Sequence, residues 1–196
     1  MRRSGSPIPE TRPTFELEGY ATPAVLKLNP VLAKPPMKLL AHFRIADPSS
    51  LDLILPLFRA YQAHYSALTS ATEGQTRDFL KKLLEQPANG FIILAEVDGA
   101  LAGFATGYFT VAGVMAERLV HLGDLYVAPE YRRHGLATAL VNRVTEQARL
   151  KGIGLVRWLS LASNTELNRW YESLGAKSGE FKLFLRPTSS PAHETV

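Results

Sequence analysis

The sequence predicts an α+β fold in which a mixed central sheet is flanked by helices. The main observation is a short apolar run that stops at Pro129 and is followed, after Gly135, by apolar residues at helical spacing. A second observation is the pair Asp98 and Gly99 between two apolar runs, which is a strong signal for a tight hairpin. Taken along the chain, the segments give the order β-α-α-β-β-β-α-β-α-β.

Composition indicates a soluble globular protein of one domain. The chain has 196 residues, 46% of them hydrophobic, and no cysteine, which excludes disulfides, thiolate metal sites and a cysteine nucleophile. The five histidines lack metal-site spacing, so no metal is expected. The net charge of +4 comes from scattered basic residues, which disfavours nucleic acid as a partner. No secretory signal or membrane span is found, so a cytoplasmic location without a membrane partner is expected.

Proline is frequent in the first part of the chain. Residues 1–38 are therefore expected to form an extended or disordered arm, because proline disrupts the interior of helices and sheets. A first strand is predicted over residues 39–46. An early proline and capping side chains then start a helix over residues 49–66. A second amphipathic helix is predicted over residues 70–86.

The middle of the chain predicts an antiparallel meander that leads into a helix. Residues 91–97 and 101–114 have the composition of two strands joined by a hairpin. A third strand is expected over residues 119–127, where the apolar run before Pro129 is too short for a helix. The next helix begins just after Gly135.

The C-terminal part predicts two further strands around a short helix. Residues 155–162 are expected to lie parallel to the third strand of the meander, because a helix connects the two. A short helix is predicted over residues 164–174 and a last strand over residues 177–185. Residues 187–196 are expected to be a loose tail.

The turn between the third strand of the meander and the next helix has the chemistry of an anion site. The first N–H groups of a helix have no partner inside it, and the helix dipole and basic side chains favour negative charge there. We therefore expect this turn to hold a phosphate or pyrophosphate. The residues expected to contribute are Arg132, Arg133, His134, Gly135, Leu136, Ala137 and Thr138.

Two motifs resemble one known family. The turn Arg132-x-x-Gly135-x-Ala137 is similar to the Q/R-x-x-G-x-G/A signature of the GNAT N-acetyltransferases. The segment that starts at Asn164 resembles that family's second signature, N-x-x-A-x-x-F-Y-x-x-x-G-F/A, with departures at Leu167 and Trp170. The resemblance implies the GNAT fold, with an N-acetyltransferase domain over residues 39–186.

The resemblance also implies an activity and residue roles. It implies an N-acetyltransferase that passes an acetyl group from acetyl-CoA directly to a primary amine in a ternary complex. The pantetheine arm of the cofactor is expected along the backbone of Leu125, Tyr126 and Val127, with Asn164 as a further contact. Tyr171 is expected to be the general acid that protonates the departing thiolate. The resemblance does not decide whether the acceptor is a small-molecule amine or a peptide N-terminus, or whether the chain forms a homodimer.

The general base is open between His121 and Asp124. Family members acting on polyamines tend to have a carboxylate where this chain has Gly123. Strand alternation places His121 on the face of Gly123 and Asp124 on the other face, unless a bulge exchanges them. In a competing interpretation His121 is a partly exposed strand histidine and the amine loses its proton to water.

Acceptor binding is expected at aromatic side chains of the first helix and the meander. Tyr61 and Tyr65 are one helical turn apart and could form an aromatic wall, with Tyr108 beside them. Such a stripe is also typical of a core face. An alternative from another functional class is a non-catalytic acyl-CoA-binding or interaction module that keeps the turn but has lost the base, which Gly123 motivates.

Overall fold

The computed structural model describes residues 40–65, 71–180 and 183. The predicted arm and tail lie outside the described residues. The described residues divide into two compact units, one that ends at Leu159 and one that begins at Ser160.

The first unit is built on a five-stranded mixed sheet whose strands follow one another in chain order. The first four strands pair antiparallel, and the fifth pairs parallel with the fourth, as predicted from the intervening helix. The hairpin between the second and third strands has left-handed backbone at Asp98 and Gly99, which a tight primed turn requires. The strands are β1 (Ala41–Ile45), β2 (Gly90–Val97), β3 (Ala100–Ala112), β4 (Glu117–Val127) and β5 (Val156–Arg157).

Three helices of the first unit pack on this sheet, namely α1 (Leu51–Ala63), α2 (Glu73–Glu85) and α3 (Leu136–Leu150). A capping box between Thr72 and Gln75 starts α2, since each residue satisfies a backbone N–H of the other. The helices α1 and α2 bury their apolar stripes against β2, β3 and β4. The core side chains on this face are Ile54, Leu55, Phe58, Leu80, Leu83, Leu84, Ile92, Leu94, Phe104, Tyr126 and Ala128.

A β-bulge interrupts β4 at Gly123 and Asp124. Ala105 pairs with Leu125, whereas Gly107 pairs with Leu122, so two residues of β4 stand opposite the single residue Thr106 of β3. The bulge anticipated as an alternative is therefore present. Its effect on the candidate bases is described with the site.

The predicted strand over residues 155–162 is wrong in length, because only Val156–Arg157 is a strand. Val156 pairs with Val120 and Arg157 pairs with His121. The next positions of β4 run into the bulge, where the backbone turns out of the ladder. Apolar content alone predicted a longer strand, but β4 offers no straight edge to pair with it.

The second unit contains one described helix, α4 (Thr165–Ser173), in agreement with the prediction for residues 164–174. The side chain of Asn164 caps it by accepting a hydrogen bond from the N–H of Leu167 at 3.2 Å. Gly175, with φ of 86°, follows its end. The last strand predicted over residues 177–185 is wrong for 177–180 and 183, which form no strand with described residues; its other residues lie outside the described part.

Candidate functional site

The turn after β4 has the geometry of an anion-binding helix start. Gly135 is the N-cap of α3, has φ of 82°, and provides no side-chain cap. The first bond of the helix runs from the N–H of Ala139 to the carbonyl of Gly135 at 3.0 Å. The N–H groups of Leu136 and Ala137 therefore have no i−4 acceptor inside the helix, and a Cβ on Gly135 would meet no described atom within 4 Å. An uncapped helix start of this kind can bind a phosphate or pyrophosphate, and the predicted anion-binding role stays a prediction.

Arg132 ties this turn to the end of β4. Its Nε donates to the carbonyl of Val127 at 2.9 Å, and its guanidinium carbon lies 5.7 Å from the centre of the Tyr126 ring. Its Nη2 lies 3.3 Å from Nε2 of His64, at the end of α1. The neighbouring Arg133 has left-handed backbone, with φ of 67°. Arg132 thus shapes the turn as well as supplying charge, and contact with a cofactor stays a prediction for both arginines.

The end of β4 has an open backbone edge. Pairing between β4 and β5 stops at His121, so the β5 side of the following β4 residues has no strand partner in the part of the chain that the structure describes. An extended ligand chain can hydrogen bond along such an edge. This agrees with backbone binding of a pantetheine arm at Leu125, Tyr126 and Val127, which stays a prediction.

The bulge brings both candidate bases to one face of the sheet. His121 pairs with Tyr108, so the two side chains share a face. Asp124 reaches the same face, because its carboxylate contacts both Thr106 and Tyr108. The prediction from strand alternation that Asp124 lies on the opposite face is therefore wrong. The bulge does not exchange His121 and Asp124 but places them together.

Asp124 is held by hydroxyl groups. Its Oδ2 accepts hydrogen bonds from Thr106 Oγ1 at 2.5 Å and from the Tyr108 phenol at 3.2 Å. The hydroxyl of Thr106 in turn accepts from the Asp124 N–H at 2.9 Å. Burial raises the pKa of Tyr108, and the charge of Asp124 raises it further. The phenol therefore stays protonated and can donate to the carboxylate at neutral pH.

Tyr61 and Tyr65 pack against each other, and Tyr61 is the one that lies beside this carboxylate; their role in acceptor binding stays a prediction. Their ring centres are 5.3 Å apart in an edge-to-face arrangement, and Tyr61 also packs on Phe104 and Tyr126. Burial raises the pKa of Tyr61, and the charge of Asp124 and a hydrogen bond with it raise it further. Tyr61 is thus both a core residue and a neighbour of Asp124, whereas Tyr65 is largely exposed. Aromatic faces around a carboxylate suit an ammonium group.

His121 favours its neutral form. Burial lowers the pKa of its imidazole, the positive charge of Arg157 lowers it further, and Asp124 opposes this effect. Its Nδ1 is buried and has no hydrogen-bond partner among the described residues, so a proton there would find no acceptor in that part of the chain. A neutral imidazole is the form that can accept a proton from an amine.

The other predicted residues lie in the second unit. Tyr171 is in α4, with its ring centre 4.7 Å from that of Trp170. Asn164 is the cap of the same helix, so its amide oxygen has a structural partner. Their catalytic and cofactor-binding roles stay predictions.

Sequence reasoning missed Thr106, His64 and Arg157. Thr106 is fully buried between apolar strand neighbours, and only the bulge opposite it reveals that its hydroxyl meets Asp124. Strand pairing likewise places Arg157 beside His121, which the chain order alone does not show.

The described residues contain neither a candidate metal site nor a membrane-spanning helix. No group of three or more His, Asp or Glu side chains among them could hold a metal ion. None of their helices has the length and apolar character needed to cross a membrane.

Comparison with known proteins gives consistent matches. The family model described as Acetyltransferase (GNAT) family matches residues 55–176. The chain is 28% identical over 134 residues to an uncharacterized N-acetyltransferase of Bacillus subtilis, covering 68% of this chain and 88% of that protein. It is 29% identical over 195 residues to an L-ornithine N5-acetyltransferase of Arabidopsis thaliana, covering 87% and 85%. The crystal structure of a probable acetyltransferase superposes with a TM-score of 0.67 and 30% identity, covering 76% of this chain and 99% of that one.

Proposed function

Because the chain belongs to the GNAT family of acetyltransferases, we propose that it transfers the acetyl group of acetyl-CoA to a primary amine held at Asp124. The observation that carries this proposal is the carboxylate of Asp124, fixed by Thr106 and Tyr108 and bordered by the ring of Tyr61. A carboxylate next to aromatic faces attracts an ammonium group by charge and by cation–π contact. The amine acceptor therefore has a place on the β4 face.

The donor has its own place on the same strand and turn. Acetyl-CoA supplies a thioester carbonyl for attack by the amine. The uncapped N–H groups after Gly135 would hold its pyrophosphate, and Arg132 keeps the turn fastened to Val127. The open edge of β4 would hold the pantetheine arm by backbone hydrogen bonds. Donor and acceptor therefore meet at the bulge, in a direct transfer that needs no covalent intermediate on the protein.

Binding of the ammonium group is assigned to one side chain and proton transfer to two. The ammonium group binds at Asp124, and neutral His121 on the same face takes the proton that the amine must lose before attack. Tyr171 is assigned the donation of a proton to the departing thiolate, on the strength of the family signature around it.

The acceptor is proposed to be a small-molecule aliphatic amine. The Arabidopsis relative, similar to this chain over most of its length, is an L-ornithine N5-acetyltransferase. The test is release of free CoA thiol from acetyl-CoA with ornithine, simple alkylamines, an aminoglycoside and a peptide N-terminus. Turnover above the hydrolysis blank with an aliphatic amine is expected. Absence of turnover with every acceptor, despite acetyl-CoA binding, would favour the non-catalytic module.

Gly135→Val is expected to weaken acetyl-CoA binding by about 100-fold. A β-branched residue is strained at φ of 82°, so the turn must shift and its N–H groups lose their common direction. The matched control is Gly152→Val at the other end of α3, where φ is 69° and a Cβ also meets no atom within 4 Å. Both variants should lose similar stability, but only Gly135→Val should alter acetyl-CoA affinity by calorimetry. Equal affinities would refute the phosphate turn.

The ring of His121 is expected to titrate below the ordinary histidine pKa of about 6.5. Arg157→Gln removes a positive neighbour, so it should raise the pKa of His121, whereas Asp124→Asn should lower it further. Because the neutral ring is the base, the acid limb of kcat should move in the same directions. The ring Cε1 proton, followed by NMR against pH and assigned with His121→Gln, gives the measurement, with exposed His42 as internal control. A wild-type midpoint above 6.5 would argue against this environment.

A further inference from the structure

The space next to Gly123 is filled by the ring of Tyr108. A Cβ built on Gly123 would lie 2.3 Å from Cε2 and 2.9 Å from Cδ2 of that ring, and 3.1 Å from Oγ1 of Thr106. Real Cβ atoms do not approach other carbons so closely, so no side chain fits at position 123 while Tyr108 keeps this place. Gly123 and Tyr108 are therefore complementary in shape, and the bulge presents no second side chain beside Asp124.

The same tyrosine controls the direction of Asp124. Its phenol and the hydroxyl of Thr106 both donate to Oδ2, which fixes one oxygen of the carboxylate. The ring of Tyr108 is in turn held on the bare backbone of Gly123. The contact with Gly123 thus fixes the position of the Tyr108 ring, and the hydrogen bond from its phenol orients the carboxylate of Asp124.

The charges around this face are arranged for one cation. Asp124 is the carboxylate whose charge reaches Tyr61, Tyr108 and His121. Arg157 pairs with His121 on the far side from Tyr108 and brings a positive charge to that side. A second ammonium group on the acceptor would meet aromatic rings on one side and this guanidinium on the other. The guanidinium would repel it, and the described residues supply no second carboxylate on this face to offset that repulsion.

We propose that Tyr108 is a positioning and specificity-determining residue, which orients Asp124 and limits the acceptor end of the site to one ammonium group. The inference rests on the proposed function and narrows its acceptor class. The preferred acceptor carries a single unpaired positive charge at its reacting end. The second ammonium group of an α,ω-diamine therefore does not increase kcat/KM.

Three variants test the positioning role. Tyr108→Phe keeps the ring but removes the donor, so the KM of the amine should rise about tenfold while acetyl-CoA affinity stays unchanged and the melting temperature falls less than in Gly123→Ala. Gly123→Ala should lower the melting temperature and raise the amine KM, because the new Cβ displaces the ring. The matched control is Gly107→Ala, whose Cβ would lie 2.5 Å from Cζ of Phe91. Gly107→Ala should lower the melting temperature by a similar amount and leave the KM of the amine unchanged.

The charge limit is tested with pentylamine and 1,5-diaminopentane. In the wild type, kcat/KM per reacting amine should be no higher for the diamine than for the monoamine. In the double variant Tyr108→Ala/Gly123→Asp, the ratio of kcat/KM for the diamine to kcat/KM for the monoamine should rise about tenfold, because the site then has space and a second carboxylate for the second ammonium group. A wild-type preference for the diamine above tenfold, or an unchanged amine KM in Tyr108→Phe, overturns the inference alone. Absence of thiol release with every amine overturns the proposed function, and the inference with it.

Discussion

Tyr171→Phe is expected to reduce turnover by about 10² to 10⁴-fold, the usual contribution of a positioned general acid. The substitution keeps the aromatic ring next to Trp170 and removes only the phenolic hydroxyl, and with it the proton donor. The thiolate must then leave without a protein donor. Folding and acetyl-CoA affinity should stay close to those of the parent, so the loss should fall on kcat and not on cofactor binding.

The pH profile separates this role from a structural one. Only a protonated phenol can donate, so parent activity should decline on the alkaline side, and that limb should be absent in Tyr171→Phe. Steady-state rates at saturating acetyl-CoA, measured across pH, give both results. A variant that keeps more than half of the parent rate would mean that water protonates the thiolate.

Local patterns were sufficient for most of the fold. The Asp98 and Gly99 pair predicted a hairpin because few residues adopt left-handed backbone, and both do so here. The apolar spacing after Gly135 predicted the start of α3, which begins at Leu136. The length of β5 was not predictable, because a strand persists only while a neighbour supplies hydrogen bonds. That neighbour bulges just beyond His121, which the composition of residues 155–162 does not reveal.

The candidate site was predictable only where it lies on contiguous residues. The proposed phosphate turn is one segment, so its residues could be proposed from their order and type. The proposed acceptor face combines residues of α1, β3 and β4, and their arrangement depends on the bulge at Asp124. A bulge changes the face of every later side chain, so a strict alternation gave the wrong face for Asp124 and gave no role to Thr106. Pairing across strands was the missing information.

Asp124→Asn is expected to lower kcat/KM for the amine by about 100-fold or more. The amide can still accept hydrogen bonds from Thr106 and Tyr108 through its oxygen, so the local fold should persist. The negative charge that holds the ammonium group is lost, and a charge-assisted hydrogen bond to it is worth about 1.5–3 kcal/mol. Without the carboxylate the reacting amine is also less well oriented, which should lower kcat in addition.

The control for Asp124→Asn is Asp98→Asn, the same chemical change at a hairpin position whose left-handed backbone asparagine tolerates. Acetyl-CoA affinity should be unchanged in both variants, because the phosphate turn is a separate segment from the bulge. The deficit of Asp124→Asn should appear with every amine acceptor, since it concerns the ammonium group that all of them share. If kcat/KM for the amine fell less than about threefold, Asp124 would be a structural partner of Thr106 and not the acceptor's counter-charge, and the amine would have to be held elsewhere.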